Sequence, residues 1–151
     1  MSNPIFALPG IEIISIDAFL EFAETFPRQH KYFTLLLAWD APEGDPTSFL
    51  GLFRPLVDKG LAYFCAWGLH CETLHDAVDM CVVEKELDTG EADHLLMTTW
   101  HENESLEEAF EFFSDLAIPG EPHVFEDFDR FAVTVRNPGW AVALRTLQSV
   151  Q

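Results

Sequence analysis

Three side chains capable of chemistry recur at every fourth position in one segment of the sequence. They are Cys71, His75 and Asp79, and a helix would place them in one line on one face. A thiol close to a helix N-terminus has a lowered pKa, and a neighbouring histidine lowers it further. The spacing therefore suggests a catalytic nucleophile, a base and a carboxylate that orients the base.

Other interpretations of these residues stay open. Successive positions on one helical line are about 6 Å apart, which is long for catalytic contacts, and Cys71 is also consistent with a small buried hydrophobic residue. Cys71 and His75 could instead bind zinc together with His101. The sequence contains no paired CxxC, no HExxH and no glycine-rich phosphate loop, so we expect no metal and no cofactor.

Three of the predicted strands end in or just before a tryptophan, and polar residues follow within three positions. If these strands are parallel, their ends meet at one edge of a sheet, which is where such sheets bind ligands. The predicted pocket comprises Trp39, Asp40, Trp67, His70, Trp100, His101 and Glu102. Aromatic walls around a few polar groups are typical of small-molecule pockets, although tryptophan also packs at the rim of an ordinary core.

Strands and helices alternate along the predicted chain. Near-continuous apolar runs or β-rich alternation predict strands at Ile11–Ile16, Tyr32–Trp39, Leu61–Ala66, His94–Trp100 and Phe131–Val135. The segment Met80–Leu87 is ambiguous, because Cys81-Val82-Val83 favours a strand while its position could prolong the preceding helix.

Helices are predicted between these strands. The first, Ala18–Phe26, follows Asp17 as a capping residue, and another begins near Asp45-Pro46, ends at Gly60 and is bent or delayed by Pro55. Ser105 and Glu108 have capping-box spacing at the start of a helix ending at Ala117. Asn137-Pro138 caps a closing helix, for which we expect these inward residues: Trp140, Ala143, Leu144 and Leu147.

The alternation predicts an α/β fold for residues 1–151 as a single domain. We expect a three-layer sandwich with a mostly parallel sheet, Rossmann-like or flavodoxin-like.

The net charge is the strongest global signal. Eight Lys and Arg against 26 Asp and Glu give −18 at pH 7. Nucleic acids and anionic membrane surfaces are therefore not expected as partners, because phosphate contacts need cations. No apolar run approaches the roughly 20 residues of a membrane span, and three cysteines form no disulfide framework, which favours a reducing cytoplasm.

The acids concentrate in the second half of the chain. Between Glu86 and Asp129 there is no Lys or Arg. A helix after Ser105 would place like charges next to each other, which is unfavourable without a cation nearby. These acids are Glu104, Glu107, Glu108, Glu111 and Asp115. They indicate a surface for a basic partner, flanked by the loops Asp40–Asp45 and Glu121–Asp129, although a merely solvated acidic face fits as well.

Two functions follow as hypotheses. The first is a non-enzymatic acidic protein that binds a basic protein, in the manner of an immunity or antitoxin protein. The second is a small enzyme or ligand-binding protein that uses Asp40, Cys71, His75 and His101.

Two segments carry a family resemblance. AWGLHCETLHDAVD and TTWHENESLEEAFEFF, and best of all Trp100-His101 and Ser105–Ala109, resemble a family of small, acidic, uncharacterised bacterial proteins. The similarity covers the central two thirds of the chain. It implies no activity and no functional residues.

Overall fold

A computed structural model describes residues 8–91, 96–120 and 127–150, and the predicted alternation is confirmed there. The strands are β1 (Ile11–Ile16), β2 (Tyr32–Ala38), β3 (Leu61–Trp67), β4 (Met97–Trp100) and β5 (Phe128–Val135). The helices are α1 (Phe19–Thr25), α2 (Leu50–Asp58), α3 (Cys71–Thr89), α4 (Leu106–Leu116) and α5 (Pro138–Val150), with a 3₁₀ turn (Pro46–Phe49) before α2. Part of the predicted strand His94–Trp100 and of the loop Glu121–Asp129 lies outside the described residues.

The described strands form one all-parallel sheet in the order β1-β5-β2-β3-β4. At its centre, Leu36 of β2 lies opposite Cys65 of β3 and Ala132 of β5. Every residue of β2 is buried, as expected for a parallel strand covered on both faces. The predicted α/β class with a parallel, helix-covered sheet is confirmed and is compatible with a Rossmann-like assignment.

Helices cover the two faces of the sheet unequally. The first face packs against α1, α2 and α3, for example through Phe53 and Leu74 around Phe64 of β3. The second face packs against α4 and α5, where Phe110 and Leu144 share a cluster with Cys65. The result is the expected three-layer sandwich.

Local signals set several helix ends. Ser105 Oγ accepts a hydrogen bond from Glu108 N (3.1 Å), and Ser105 N donates to Glu108 Oε1 (3.2 Å), so the predicted capping box is confirmed. Asp45 caps the 3₁₀ turn by accepting from Thr47 N, and the regular helix that contains Pro55 begins only afterwards.

Two details of the predicted helices are wrong. Asp17 does not cap α1, because Ala18 holds the N-cap position and makes no side-chain bond there. In α5, Ala143 was predicted to face inward but is exposed, while Ala141 is buried with Leu144. Leu144 and Leu147 pack into the core of the second face as predicted, so the correction concerns Ala143 alone.

The ambiguous segment Met80–Leu87 is helical. It continues α3 to Thr89, and the helix stops at Gly90, whose φ of +72° is left-handed and whose N–H donates to Glu86 O (2.8 Å). Val83 and Leu87 face solvent, so apolar residues occupy both sides of this helix and hide its period in the sequence.

No helix in the described ranges combines the length and apolar character needed to cross a membrane.

Candidate functional site

A cleft with a volume of about 720 Å³ opens where β3 and β4 end. After β3 the chain enters α3 on the first face, and after β4 it enters α4 on the second face. Loops that diverge in this way leave a crevice at the carboxyl edge of a parallel sheet, the usual place for ligands in such folds. Of the predicted pocket residues, these line it: Asp40, Trp67, His70, His101 and Glu102.

Trp39 and Trp100 lie at the same edge but outside the cleft. Trp67 is opposite Ala38, and Trp100 is opposite Ala66, so each tryptophan is offset by one residue from the tryptophan of the neighbouring strand. Because side chains alternate across a strand, Trp67 points to the second face while the other two point to the first. The lining of the cleft therefore contains Trp67 but neither Trp39 nor Trp100.

Both displaced tryptophans pack against helices of the first face. Trp39 stacks on Phe19 and meets Phe49 edge-on, each with ring centroids 6.1 Å apart. Trp100 packs against the His75 ring at 4.5 Å.

A second tryptophan from the closing helix completes the aromatic wall of the cleft. Trp140 at the start of α5 meets Trp67 edge-on, with ring centroids 5.0 Å apart. Trp67 Nε1 donates to Glu104 O (2.8 Å), which ties this wall to the loop after β4. Sequence reasoning placed Trp140 only on an inward helix face, because its nearness to Trp67 depends on β5 lying inside the sheet.

His101 is buried, and both of its ring nitrogens have partners. Nδ1 lies 3.0 Å from Glu104 Oε2, and Nε2 lies 2.9 Å from Thr99 Oγ1. The ring also packs against Phe112 at 4.8 Å. His101 therefore holds the β4–α4 loop in place.

Backbone strain concentrates at the floor and rim of the cleft. His70 and Asn103 both line it and have φ of +64° and +63°, in the left-handed region that non-glycine residues rarely adopt. Asp40 Oδ1 accepts from Leu69 N (2.8 Å), which fastens the loop after β2 to the loop after β3.

Cys71 lines the cleft as the first residue of α3 and is only 3% exposed. Burial raises the pKa of its thiol above the ordinary value, and hydrogen bonds from the backbone of His101 and Glu72 only partly oppose this effect. The expectation of a lowered pKa was therefore wrong, because loss of solvent outweighs the helix N-terminus.

His75 contacts Asp79, but it lies one turn along α3 from Cys71 and outside the lining of the cleft. His75 Nε2 lies 3.5 Å from Asp79 Oδ2, and Nδ1 lies 2.9 Å from Asp76 Oδ1. Asp79 also accepts from Thr98 Oγ1 (2.7 Å). The structure pairs the proposed base and its orienting carboxylate beside Trp100, and the cleft lining contains neither of them.

The proposed zinc ligands do not converge. In the ranges that the structure describes, no three His, Cys, Asp or Glu side chains are arranged to hold a metal ion.

The cleft is strongly acidic. Four carboxylates line it, from Asp40, Glu72, Glu102 and Glu104, and none of the eight Lys and Arg of the chain does. These carboxylates come from three segments: the loop after β2, the first turn of α3 and the loop after β4.

The acidic surface of α4 begins beside the cleft. Its exposed residues are Glu107, Glu108, Glu111 and Asp115. Within the part of the chain that the structure describes, no Lys or Arg forms an ion pair with them, whereas Arg54 pairs with Asp58, Glu84 and Asp88. Glu104, the fifth predicted contact residue, lines the cleft and so joins it to this surface.

Comparisons with known proteins identify a family and no individual relative. No curated protein and no solved structure matches the chain. A family model described as "Domain of unknown function (DUF7684)" matches residues 15–144, which confirms the resemblance to an uncharacterised family. Because this match spans most of the 151 residues, the chain belongs to the DUF7684 family.

Proposed function

We propose that this protein is a non-enzymatic binding protein for a basic protein partner, in the manner of an immunity or antitoxin protein. The observation that carries the proposal is the α4 acidic surface, whose carboxylates are exposed and form no ion pair with a Lys or Arg in the described ranges.

Electrostatic cost is the reason that this surface favours a partner. Like charges at helical neighbour positions destabilise a helix by about 0.2–0.5 kcal/mol per pair. Glu107 and Glu111 form such a pair, as do Glu111 and Asp115. A basic partner removes this repulsion, and complementary charge also accelerates association.

Arg54 and Arg130 donate their hydrogen bonds to groups other than the exposed carboxylates of α4. Arg54 bonds to Asp58 of its own helix and joins α2 to α3 through Glu84 and Asp88. Arg130 is buried and donates to the carbonyl oxygens of Phe113 and Ser114, so it stabilises the C-terminal end of α4 from inside. The acidic surface is therefore available to an external cation.

Affinity capture with matched charge variants tests the proposal. The variant Glu107→Gln/Glu111→Gln changes the formal charge from −18 to −16 at the α4 surface, and it spares Glu108 of the capping box. The control Glu21→Gln/Glu24→Gln makes the same change on the exposed side of α1. Each protein is immobilised, exposed to a lysate of the source cells and washed at increasing salt.

We expect the wild type and the α1 control to capture a basic protein to a similar extent. The α4 variant should capture several-fold less of it, and salt should release it. Purified separately, this protein should reproduce the same order of affinities. Equal capture by both variants, or no salt-sensitive basic protein at all, would refute the proposal.

The remaining features of this proposal concern location and excluded partners. We propose a cytoplasmic location, supported by the three free, buried cysteines Cys65, Cys71 and Cys81. Nucleic acid is not proposed as a partner, since no cation lines the cleft and the charge of the chain repels phosphate.

The second candidate function is that of a small enzyme or ligand-binding protein. The cleft lies between the loops after β3 and β4, which lead to opposite faces of the sheet, and this position favours a ligand-binding function. The raised thiol pKa of Cys71 and the separation of His75 from the cleft weigh against the version with a Cys71 nucleophile. Thiol-reactivity profiling and metal analysis of the pure protein test this second candidate. An inert Cys71 would eliminate an enzyme with a thiol nucleophile, and the absence of bound metal would eliminate a metalloenzyme.

A further inference from the structure

We infer that the cleft between β3 and β4 binds the guanidinium group of an arginine side chain supplied by the basic partner. This inference rests on the proposed function and adds to it the group that the partner inserts. The α4 acidic surface attracts the partner, and the cleft selects one residue of it.

The first argument is the sign and the placement of the charges in the cleft. Carboxylates approach it from Asp40 on the β2 side, from Glu72 on α3, and from Glu102 and Glu104 on the β4 side. Acceptors on three sides suit a group with several donors that point outward. Guanidinium carries five N–H donors in one plane and no acceptor.

The second argument is the aromatic wall. Trp67 and Trp140 both line the cleft, with their rings nearly perpendicular at 82°. Trp67 is held in place by its bond to the Glu104 carbonyl. Cations bind to tryptophan faces, and a planar guanidinium does so better than a compact ammonium because it also stacks.

The third argument concerns size and preorganisation. A cleft of about 720 Å³ accommodates an arginine side chain together with the backbone on either side of it. Its rim is held by the Asp40–Leu69 bond and by the His101–Glu104 bond, so little ordering is needed when the side chain enters.

The indole N–H signals of the four tryptophans provide the test. Labelled protein is titrated at low salt with the acetylated, amidated tripeptide Gly-Arg-Gly, and its binding is followed by nuclear magnetic resonance. We expect saturable shifts of the Trp67 and Trp140 signals. Trp39 and Trp100 serve as internal controls, because they lie at the same edge but outside the cleft.

Two comparison peptides test the chemistry. In these peptides citrulline or lysine replaces the arginine. Citrulline has nearly the shape of arginine but no charge, and lysine has the charge but no planar guanidinium group. Loss of one charged hydrogen-bonding group should raise the dissociation constant about tenfold. We expect at least that change for citrulline and a smaller but measurable weakening for lysine. Equal binding of all three peptides would overturn the inference.

Two variants test the location. Glu72→Gln/Glu102→Gln removes two charges from the cleft, and Glu107→Gln/Glu111→Gln removes two from α4. The cleft variant should weaken the Gly-Arg-Gly peptide about tenfold, and the α4 variant should leave it within twofold. Equal weakening by both would show a response to total charge only and would overturn the inference.

Failure of this inference and failure of the proposed function give different results. If the tripeptide does not bind but the α4 variant still loses the captured partner, only the arginine site is wrong. If neither the tripeptide nor a partner binds, both are wrong. Preferential binding of a free diamine such as putrescine, without the arginine peptide, would overturn the inference and support the ligand-binding alternative.

Discussion

At Gly68 the loop after β3 lies against the backbone of Trp39, in the loop after β2. The φ of Gly68 is +116°, and a Cβ atom there would overlap the carbonyl oxygen of Trp39. We expect Gly68→Ala to lower the free energy of unfolding by about 1–3 kcal/mol, because both the backbone conformation and the contact are incompatible with a side chain. Urea denaturation measures this change.

Gly51 supplies the matched control for that substitution. It lies in α2, and a Cβ atom there would meet nothing within 4 Å. Gly51→Ala should therefore stabilise the protein by about 0.5–1 kcal/mol through helix propensity. A similar loss of stability in both variants would contradict the close approach at Gly68.

The Cys71 thiol gives a second prediction at this scale. Its raised pKa leaves little thiolate at neutral pH, so iodoacetamide should alkylate it at pH 8 at least about tenfold more slowly than glutathione. The rate should continue to rise above pH 9, where an ordinary thiol is already largely ionised. Intact-mass kinetics, with urea-denatured protein as the fully reactive reference, measures this. Fast alkylation that is constant between pH 6 and 8 would instead indicate an activated thiol.

Among the helices, α4 has the best-defined beginning. Ser105→Ala removes the hydroxyl that accepts from Glu108 N and should cost about 1 kcal/mol of stability. Ser149→Ala near the end of α5 removes only a hydroxyl that donates to Thr146 O, so it should change stability by less than about 0.5 kcal/mol. Chemical denaturation compares the two variants, and equal effects would mean that the capping box does not stabilise α4.

The elements were predictable wherever a local signal decides them. Ser105 and Glu108 define a helix start by spacing alone. The continuation of α3 through Cys81 could not be decided locally, because Cys81 is buried beneath α2 while Val83 is exposed. The N-cap of α1 was mispredicted because Asp17 carries a side chain suited to capping, whereas the backbone becomes helical only after Ala18.

The sequence predicted the edge of the sheet at which the candidate site lies, but not the face to which each side chain points. Parallel pairing places Trp39, Trp67 and Trp100 at one edge, as expected. The face of the sheet to which each tryptophan points depends on the strand register, because a shift of one residue moves a side chain to the opposite face. Trp140 joins the site only because β5 and α5 are placed by strand order, which no local pattern encodes.

For the whole molecule, the charge of −18 predicts a response to salt. Screening reduces repulsion among exposed carboxylates, so the Tm should rise by a few degrees between about 10 and 200 mM NaCl. Glu107→Gln/Glu111→Gln should reduce this rise more than Glu21→Gln/Glu24→Gln does. Differential scanning calorimetry at several salt concentrations checks this, and an unchanged or falling Tm would contradict repulsion as a cost to the fold.

The insertion of the last strand between earlier ones determines when folding can finish. In the described sheet, β1 pairs with β5 alone, and β5 joins it to β2. During synthesis the ribosome releases β1 first, yet it has no neighbour to bond until Val135 has emerged. Pairing between such distant segments is intrinsically slow, and open strand edges can aggregate in the meantime. β1 must therefore wait until β5 has been synthesised, and a dense negative charge on the nascent chain helps to keep it apart from other chains during that interval.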